Sequence, residues 1–343
     1  MTWTKMGLSF DDVLIEPQFS TIQTRSEVDI GADLDARHHL QVPVISSPMD
    51  TVTETAMAVA MRNSGGLGII HRYNTIEKQV DIIDRLVAED PKAVAAAAIG
   101  VTGDYEERAW ALYDAGARVL CIDVAHGHHV LMKQGIENIR RVLGDEVHIM
   151  AGNVATLQAT NDLADWGANS VRIGIGGGSI CSTRVQTGHG IPTFQSVYDC
   201  AKTDRDVVLI ADGGIKNSGD IVKSLAAGAD FVMVGSLLAG TMESPGEVHR
   251  SPTGEPRKQY RGMASAAAQV DWRGKASSLE GISTTIPYKG SVKPIMEQLA
   301  NGIRSGFSYS GARTVKQFQA KVKFIRQTHS AQVESSTHIL REL

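Results

Sequence analysis

The chain has 343 residues, 42% of them hydrophobic and 21% charged, and carries a formal net charge of −4. That length supports one large globular domain or two small ones. The composition excludes a strongly basic surface for nucleic acid, and no apolar run is long enough to span a bilayer.

The N-terminal stretch MTWTKMGLSFDDVLIEP carries acids early and lacks the basic start and apolar middle of a signal peptide. Short, continuous apolar runs then recur: VPVISSPM from Val42, GLGIIH from Gly66, AVAAAAIGV from Ala93 and RVLCIDVAHG from Arg118. They continue with VHIMAGNV from Val147, SVRIGIG from Ser170, DVVLIADGG from Asp206 and DFVMVGSLLAG from Asp230. Each reads as a parallel strand buried on both faces, because none alternates. The segments between them have helical spacing. In DYEERAWALYDAGA, Ala109, Leu112 and Tyr113 share a face and acids occupy the first turn.

A short pattern recurs at Gly116-Ala117-Arg118, Gly167-Ala168-Asn169 and Gly228-Ala229-Asp230. Each closes a helical stretch and opens an apolar run, so each glycine suits a left-handed helix cap. The repeated junction predicts stacked βα units, and eight of them predict a (β/α)8 TIM barrel. A doubly wound sheet is the rival, but no G-x-G-x-x-G follows the first strand, and Ser179 stands where the loop at Gly174 would need its third glycine. In a barrel the strand C-termini carry the active site. Those ends read Ser47-Pro48-Met49-Asp50, His71-Arg72, Asp123 to His129, Gly152-Asn153, Gly174 to Thr183, Asp212-Gly213-Gly214 and Gly235-Ser236. After the last strand, residues 241–287 are rich in Pro, Gly and charge. They predict a long irregular insertion acting as a mobile cover. The final thirty or so residues predict a tail packed on the barrel or on a neighbouring subunit.

In GIGGGSICSTR, Gly174 to Arg184, four glycines precede Cys181. A thiol behind bare backbone N–H groups, beside Ser182, Thr183 and the cation of Arg184, suits a nucleophile. Cys121 lies inside an apolar strand and Cys200 in a helix, so both read as structural. Three cysteines without C-x-x-C spacing argue against a disulfide framework or a zinc site and fit a reducing cytoplasm. Ser179, Gly214, Gly235 and Ser236 offer N–H and O–H donors to a phosphate, three of them after the seventh and eighth strands. Asp212 suits either a ribose diol or the cap of the following helix. His126, His128 and His129 read as loop histidines rather than metal ligands. Glu280, taken alone, reads as an exposed charge.

At these residues the chain resembles the IMP dehydrogenase and GMP reductase family over nearly its full length. The matching stretches are LSFDDVLIEP, SSPMDTVTE, GGLGIIHR, IDVAHGH, MAGNVAT, GIGGGSICSTR, ADGGI, VMVGSLLAG, YRGMAS and IPYKGSV. The resemblance implies one (β/α)8 catalytic domain over residues 1–343, with 241–287 as its flap, in a homotetramer that binds GMP or IMP. It implies Cys181 as the nucleophile at purine C2, with Thr183 and Glu280 relaying a proton to departing ammonia. It implies phosphate contacts from Ser179, Gly214, Gly235, Ser236 and Tyr260, and a ribose contact from Asp212. Ser47, Met49, Gly262, Met263, Ala264 and Gly281 would border the base. Asp123, Ala125 and Asn153 would face the nicotinamide, with Arg172 nearby and Lys275 as a candidate for binding NADPH. The carbonyls of Gly176, Gly178 and Cys181 match the family's K+ loop.

Dehydrogenases of the family usually insert regulatory CBS modules between the second helix and third strand, and their flap carries an Arg-Tyr pair that activates water. Here IHRYNTIEKQVDIIDRLVAEDPKAVAAAAIG runs straight through, and Arg273 is followed by Gly. The resemblance therefore points first to GMP reductase and second to an IMP dehydrogenase without CBS modules. The chain departs from the family at Gly177, where Pro is usual and where glycine would loosen the loop. It departs from reductases at Arg172, where they usually have Lys, and at His126-Gly127-His128, where many have Asn-Gly-Tyr. A flavin-dependent barrel oxidoreductase and a non-catalytic nucleotide sensor are the readings from other classes.

Overall fold

Each of the eight apolar runs forms a strand in the structure, a computed structural model that describes residues 6–90 and 94–335. They are β1 Val44–Ser46, β2 Leu67–Ile70, β3 Ala96–Ile99, β4 Val119–Asp123, β5 His148–Val154, β6 Ser170–Ile173, β7 Val208–Asp212 and β8 Phe231–Val234. The start of the third run, Ala93, lies outside the described residues. The strands pair in parallel in sequence order, and β8 closes on β1 with Val232 opposite Val44. The result is a closed eight-stranded barrel.

Two cores explain why the runs do not alternate. Ile45, Leu67, Ile69, Cys121, Met150, Ile210, Phe231 and Met233 fill the lumen. Their neighbours Val44, Ile70, Leu120, Ile149, Val171 and Val232 pack outward against the helices. Every second residue thus meets one apolar layer and the rest meet the other. A hairpin, Ala32–Asp35 with His38–Leu40, adds Leu34 and Leu40 to the lumen cluster. It closes the end opposite the site, where Asp35 bonds His148 at the start of β5.

The outer helices are α1 Thr55–Asn63, α2 Ile76–Glu89, α3 Tyr105–Asp114, α4 Val130–Leu143, α5 Leu157–Asp165, α6 Thr193–Cys200, α7 Ser218–Ala226 and α8 Val292–Tyr309. The three Gly-Ala junctions share one geometry. Gly116, Gly167 and Gly228 have φ of +106°, +111° and +110°. After each, the alanine N–H reaches back five residues, Ala117 to Leu112 O, Ala168 to Leu163 O and Ala229 to Ser224 O, at 2.8, 3.1 and 3.1 Å. This reverses the chain into the next strand in a single step.

Residues 241–287 are not the irregular insertion that their composition predicts. They hold a three-stranded antiparallel sheet, His249–Arg250, Pro256–Arg261 and Ser283–Pro287, and a helix, Ala266–Arg273. The alternation is present but chemically hidden, since the buried positions of the middle strand are Lys258 and Tyr260. Lys258 Nζ donates to the carbonyls of Thr241 and Ser244, so a charged residue occupies an inward position. Ser265 caps the helix and Gly274, at φ +71°, ends it.

The C-terminal segment packs on its own chain. Phe324–Arg326 pairs antiparallel with Val13–Ile15, and Phe324 meets Phe194 edge-on at 5.1 Å. Residues 336–343, the end of the expected tail, lie outside the described residues. Among the described residues no helix is long and apolar enough to cross a membrane.

Candidate active site

A cavity of about 310 Å³ opens at the C-terminal ends of the strands. That is enough space for a nucleotide-sized ligand. The loop after β6 brings Cys181 to its wall, and the thiol is exposed. Cys181 Sγ donates to Thr183 Oγ1 at 3.1 Å, and Thr183 Oγ1 donates to Glu280 Oε2 at 2.8 Å. An isolated bridge between Cys181 and Gly281 joins this loop to the flap. Three residues separated by nearly a hundred positions therefore form one chain of hydrogen bonds.

The cation expected beside the thiol is elsewhere. Arg184 turns away, and its Nη2 donates to the carbonyls of Ile175 and Ile191. Its side chain extends from the helix Thr183–Thr187 toward the base of the loop, where those carbonyls lie.

Ser179, Gly214, Gly235, Ser236 and Tyr260 all line the cavity. Ser179 Oγ and Tyr260 Oη are 3.5 Å apart. Burial pushes the Tyr260 phenol up, so it remains a donor. A Cβ on Gly235 would lie 3.1 Å from Tyr260 Oη and 3.2 Å from Met49 Sδ, so a side chain there would crowd both. Ser47, Met49, Gly262, Met263, Ala264 and Gly281 line the same cavity. So do the loop residues Gly176 and Gly178.

The floor is a buried ionic network. Arg172 Nη1 donates to Asp123 Oδ1 at 2.7 Å and to Cys121 Sγ at 3.3 Å, and its Nη2 donates to Asp212 Oδ2 at 2.9 Å. Burial opposes the charge on Arg172, but Cys121, Asp123 and Asp212 around it outweigh burial and raise its pKa. Burial also pushes the Cys121 thiol up to about 12. Asn153 Nδ2 completes the network at Asp212 Oδ2, 2.9 Å away. Asp212 is therefore not a helix cap; Asn217 caps α7 by accepting from Asp220 N–H. Ala125 lies on the Asp123 side of the cavity wall. Lys275 does not reach the cavity: it is exposed in the flap, and its carbonyl accepts from Arg273 Nε at 3.3 Å.

The histidines after β4 are engaged separately. His128 Nε2 bonds Asp162 at 2.7 Å and His129 caps α4. Among the described residues no group of three or more His, Cys, Asp or Glu is arranged to hold a metal ion.

Sequence reasoning missed two parts of the rim. Arg261 donates from Nε and Nη2 to Asp50 Oδ2 at 2.9 and 2.6 Å, tying the flap to the loop after β1. Tyr73 lines the cavity and stacks on Trp272 of the flap helix, with centroids 5.7 Å apart. Arg72 lies 5.4 Å from the Tyr73 ring, and its buried Nε makes no hydrogen bond but pairs with Asp123 Oδ2 at 3.9 Å. Arg261 could have been found from its place one residue past Tyr260 in the strand; the Tyr73–Trp272 contact left no local signal.

Fold and site together define a (β/α)8-barrel protein with an exposed thiol relay above a buried Arg–Asp floor. Residues 7–338 match the family described as the IMP dehydrogenase / GMP reductase domain, and the chain belongs to that family of nicotinamide-using oxidoreductases. It is 33% identical to an inosine-5'-monophosphate dehydrogenase of Nitrosopumilus maritimus, over 97% of this chain and 98% of the relative. It is 31% identical to a GMP reductase of Leishmania major, over 98% of each. The crystal structure of a cysteine-to-alanine variant of Trypanosoma brucei GMP reductase in complex with guanosine 5'-monophosphate superposes with a TM-score of 0.92, at 30% identity over 98% of each chain. The first two alignments run over 470 and 481 residues, more than this chain contains, so both relatives carry positions that it lacks. The straight path from β2 through α2 to β3 therefore does not separate reductase from dehydrogenase.

Proposed function

We propose that the protein is an NADPH-dependent GMP reductase, converting GMP to IMP and ammonia. The observation that carries this reading is the Cys181–Thr183–Glu280 relay, with bonds of 3.1 and 2.8 Å. The thiol loses its proton to Thr183 and Glu280, and its sulfur bonds to purine C2. The C2–N bond breaks, and the relay returns a proton to the nitrogen, which leaves as ammonia. NADPH would supply the hydride to C2 that expels the sulfur and leaves IMP. Ser179, Gly214, Gly235, Ser236 and Tyr260 hold the phosphate. Asp212, held by Arg172 and Asn153, presents its second oxygen to the ribose.

The rim suits a nicotinamide. Arg72, whose Nε pairs with Asp123 Oδ2 at 3.9 Å and whose guanidinium lies 5.4 Å from the Tyr73 ring, gives this rim a cation and an aromatic face for a polar aromatic ring. Asp123, Ala125 and Asn153 would hold it there. The carbonyls of Gly176, Gly178 and Cys181 are an all-oxygen donor set of the type that takes K+. The Gly178 carbonyl also accepts the Cys181 N–H at 3.1 Å, which leaves one lone pair for an ion. We read the chain as a single catalytic domain with residues 241–287 as its cover, assembled as a homotetramer.

What favours reduction over hydrolysis is the flap. Arg273 donates within the flap to Gln269, to Ser277 and to the Lys275 carbonyl, and it does not line the cavity. Arg273 is thus not placed to activate water, and the two arginines that line the cavity, Arg72 and Arg172, are both paired with Asp123. The second reading, IMP dehydrogenase, is supported by relatives of that name at equal similarity. A pair of absorbance assays separates the two. NADPH consumption with GMP is expected; NADH formation from NAD and IMP, without the first activity, would reverse the assignment.

A further inference from the structure

We propose that Arg184 is a positioning residue that fastens the loop carrying Cys181, a role that rests on reading Cys181 as the nucleophile. The loop leaves β6 at Gly174 and returns at Ile191, where Ile175 and Ile191 form an isolated antiparallel bridge. Arg184 runs back from the helix Thr183–Thr187 to this bridge. Its Nη2 donates to the Ile191 carbonyl at 2.7 Å and to the Ile175 carbonyl at 3.4 Å.

The path of the side chain is built into two glycines. A Cβ on Gly176 would lie 2.5 Å from Arg184 Cγ and 2.9 Å from Nε, and one on Gly190 would lie 2.8 Å from both. The arginine stem therefore passes between two stretches of backbone that are bare on the sides facing it. Both glycines also have positive φ, +79° and +151°, so backbone conformation and the stem favour glycine together. Because Arg184 directly follows Thr183, holding its stem holds the first turn of the helix. That turn sets Thr183 Oγ1 between Cys181 Sγ and Glu280 Oε2. The guanidinium is engaged by two carbonyls, so its effect on the thiol is geometric. One nitrogen, Nη2, donates to both carbonyls, and a lysine ammonium offers a comparable donor on a more flexible stem that is less firmly held between the glycines.

The test compares Arg184→Met, Arg184→Lys and Gly190→Ala with the unaltered protein. In Arg184→Met, kcat with GMP and NADPH falls on the order of 10²-fold, as expected for a misplaced reacting group. KM for GMP stays within about threefold, since phosphate and ribose contacts remain. Gly190→Ala, which crowds the stem and also strains the backbone at φ +151°, lowers kcat too, and Arg184→Lys recovers part of the Arg184→Met loss. The midpoint of the pH profile for alkylation of Cys181 by iodoacetamide does not move. Amide hydrogen exchange accelerates in the segment 174–191 and not in the barrel strands. An upward shift of the alkylation midpoint in Arg184→Met would show that Arg184 acts through charge and overturn the proposal. Unchanged kcat and unchanged exchange would overturn it too. If the unaltered protein turns over neither GMP nor IMP, the assignment of Cys181 fails, and the exchange measurement alone decides whether Arg184 fastens the loop.

Discussion

Thr183 accepts the Cys181 thiol hydrogen at 3.1 Å, from a position two residues further along the chain. The contact is local, but the next one, to Glu280, joins the barrel loop to the flap. Removing the sulfur and breaking the relay should therefore differ. Cys181→Ala is expected to abolish turnover while GMP binds within a few-fold of the unaltered affinity, measured by calorimetry. Glu280→Gln keeps the shape and loses the base. It should slow ammonia release far more than hydride transfer, so that a pre-steady-state assay shows the deamination step becoming limiting. Retained turnover in Cys181→Ala would sink the covalent mechanism.

Arg172 is buried and pairs with Asp123 through Nη1 at 2.7 Å and with Asp212 through Nη2 at 2.9 Å. Replacing it with Met buries an uncharged side chain between two partly buried carboxylates and leaves Asp123 only the longer pairing with Arg72 at 3.9 Å. Breaking a buried pair in this way costs ~3–5 kcal/mol. Arg172→Met should unfold at markedly lower denaturant than the unaltered protein. Arg172→Lys retains the charge but cannot reach both carboxylates at once, so it should fall between the two in urea titration. Equal midpoints for all three would mean that the network contributes nothing to stability.

The barrel was legible because its signals are local. Eight apolar runs and three Gly-Ala junctions follow from burial on both strand faces and from one left-handed cap. The cavity residues were legible because strand ends are where a barrel exposes polar groups. The flap sheet was not, since Lys258 and Tyr260 occupy inward positions that apolar periodicity cannot mark. Arg184 was misplaced for a related reason. Its neighbours in sequence are Thr183 and Cys181, but its guanidinium bonds follow the fold back to Ile175 and Ile191. The Arg261–Asp50 tie spans 211 positions and depends on flap docking, which no short window contains.

The closed end of the barrel should set the acid limit of stability. His148 is buried with Nδ1 3.0 Å from Asp35 Oδ2 and Nε2 2.8 Å from Ser170 Oγ. Burial lowers the His148 pKa and outweighs the raising effect of Asp35. Burial alone would raise Asp35, but bonds from His148, His38 and the Arg37 N–H hold it well below the usual range. The unfolded chain therefore takes up a proton at His148 near pH 6.5, where the folded chain does not. Stability should be level above about pH 7 and fall as pH drops below about 6.5, with a further loss below about pH 4, where Asp35 protonates in the unfolded chain but not in the folded one. Thermal unfolding across pH 4–8 measures this. His148→Gln should flatten the slope between pH 5 and 7; an unchanged slope would place the acid sensitivity elsewhere.

Gly177 stands where a side chain would meet another residue. A Cβ there would lie 2.4 Å from Thr193 Oγ1, a hydroxyl at the start of α6 that is buried without a partner. The threonine hydroxyl packs into the space that a side chain would fill, so a contact, and not only the freedom of the loop, bears on this position. Its φ is not positive, so the constraint is contact rather than backbone strain. Gly177→Ala should displace either Thr193 or the loop that carries Ser179 and Cys181, lowering turnover and costing ~1–3 kcal/mol of stability by overpacking. Thr193→Ala alone should be mild, because the lost hydroxyl bonds nothing. The double variant Gly177→Ala/Thr193→Ala should recover most of both losses, giving a coupling of about 0.5–3 kcal/mol in a double-mutant cycle of denaturant titrations. Additive effects in that cycle would show that Gly177 answers to some other neighbour.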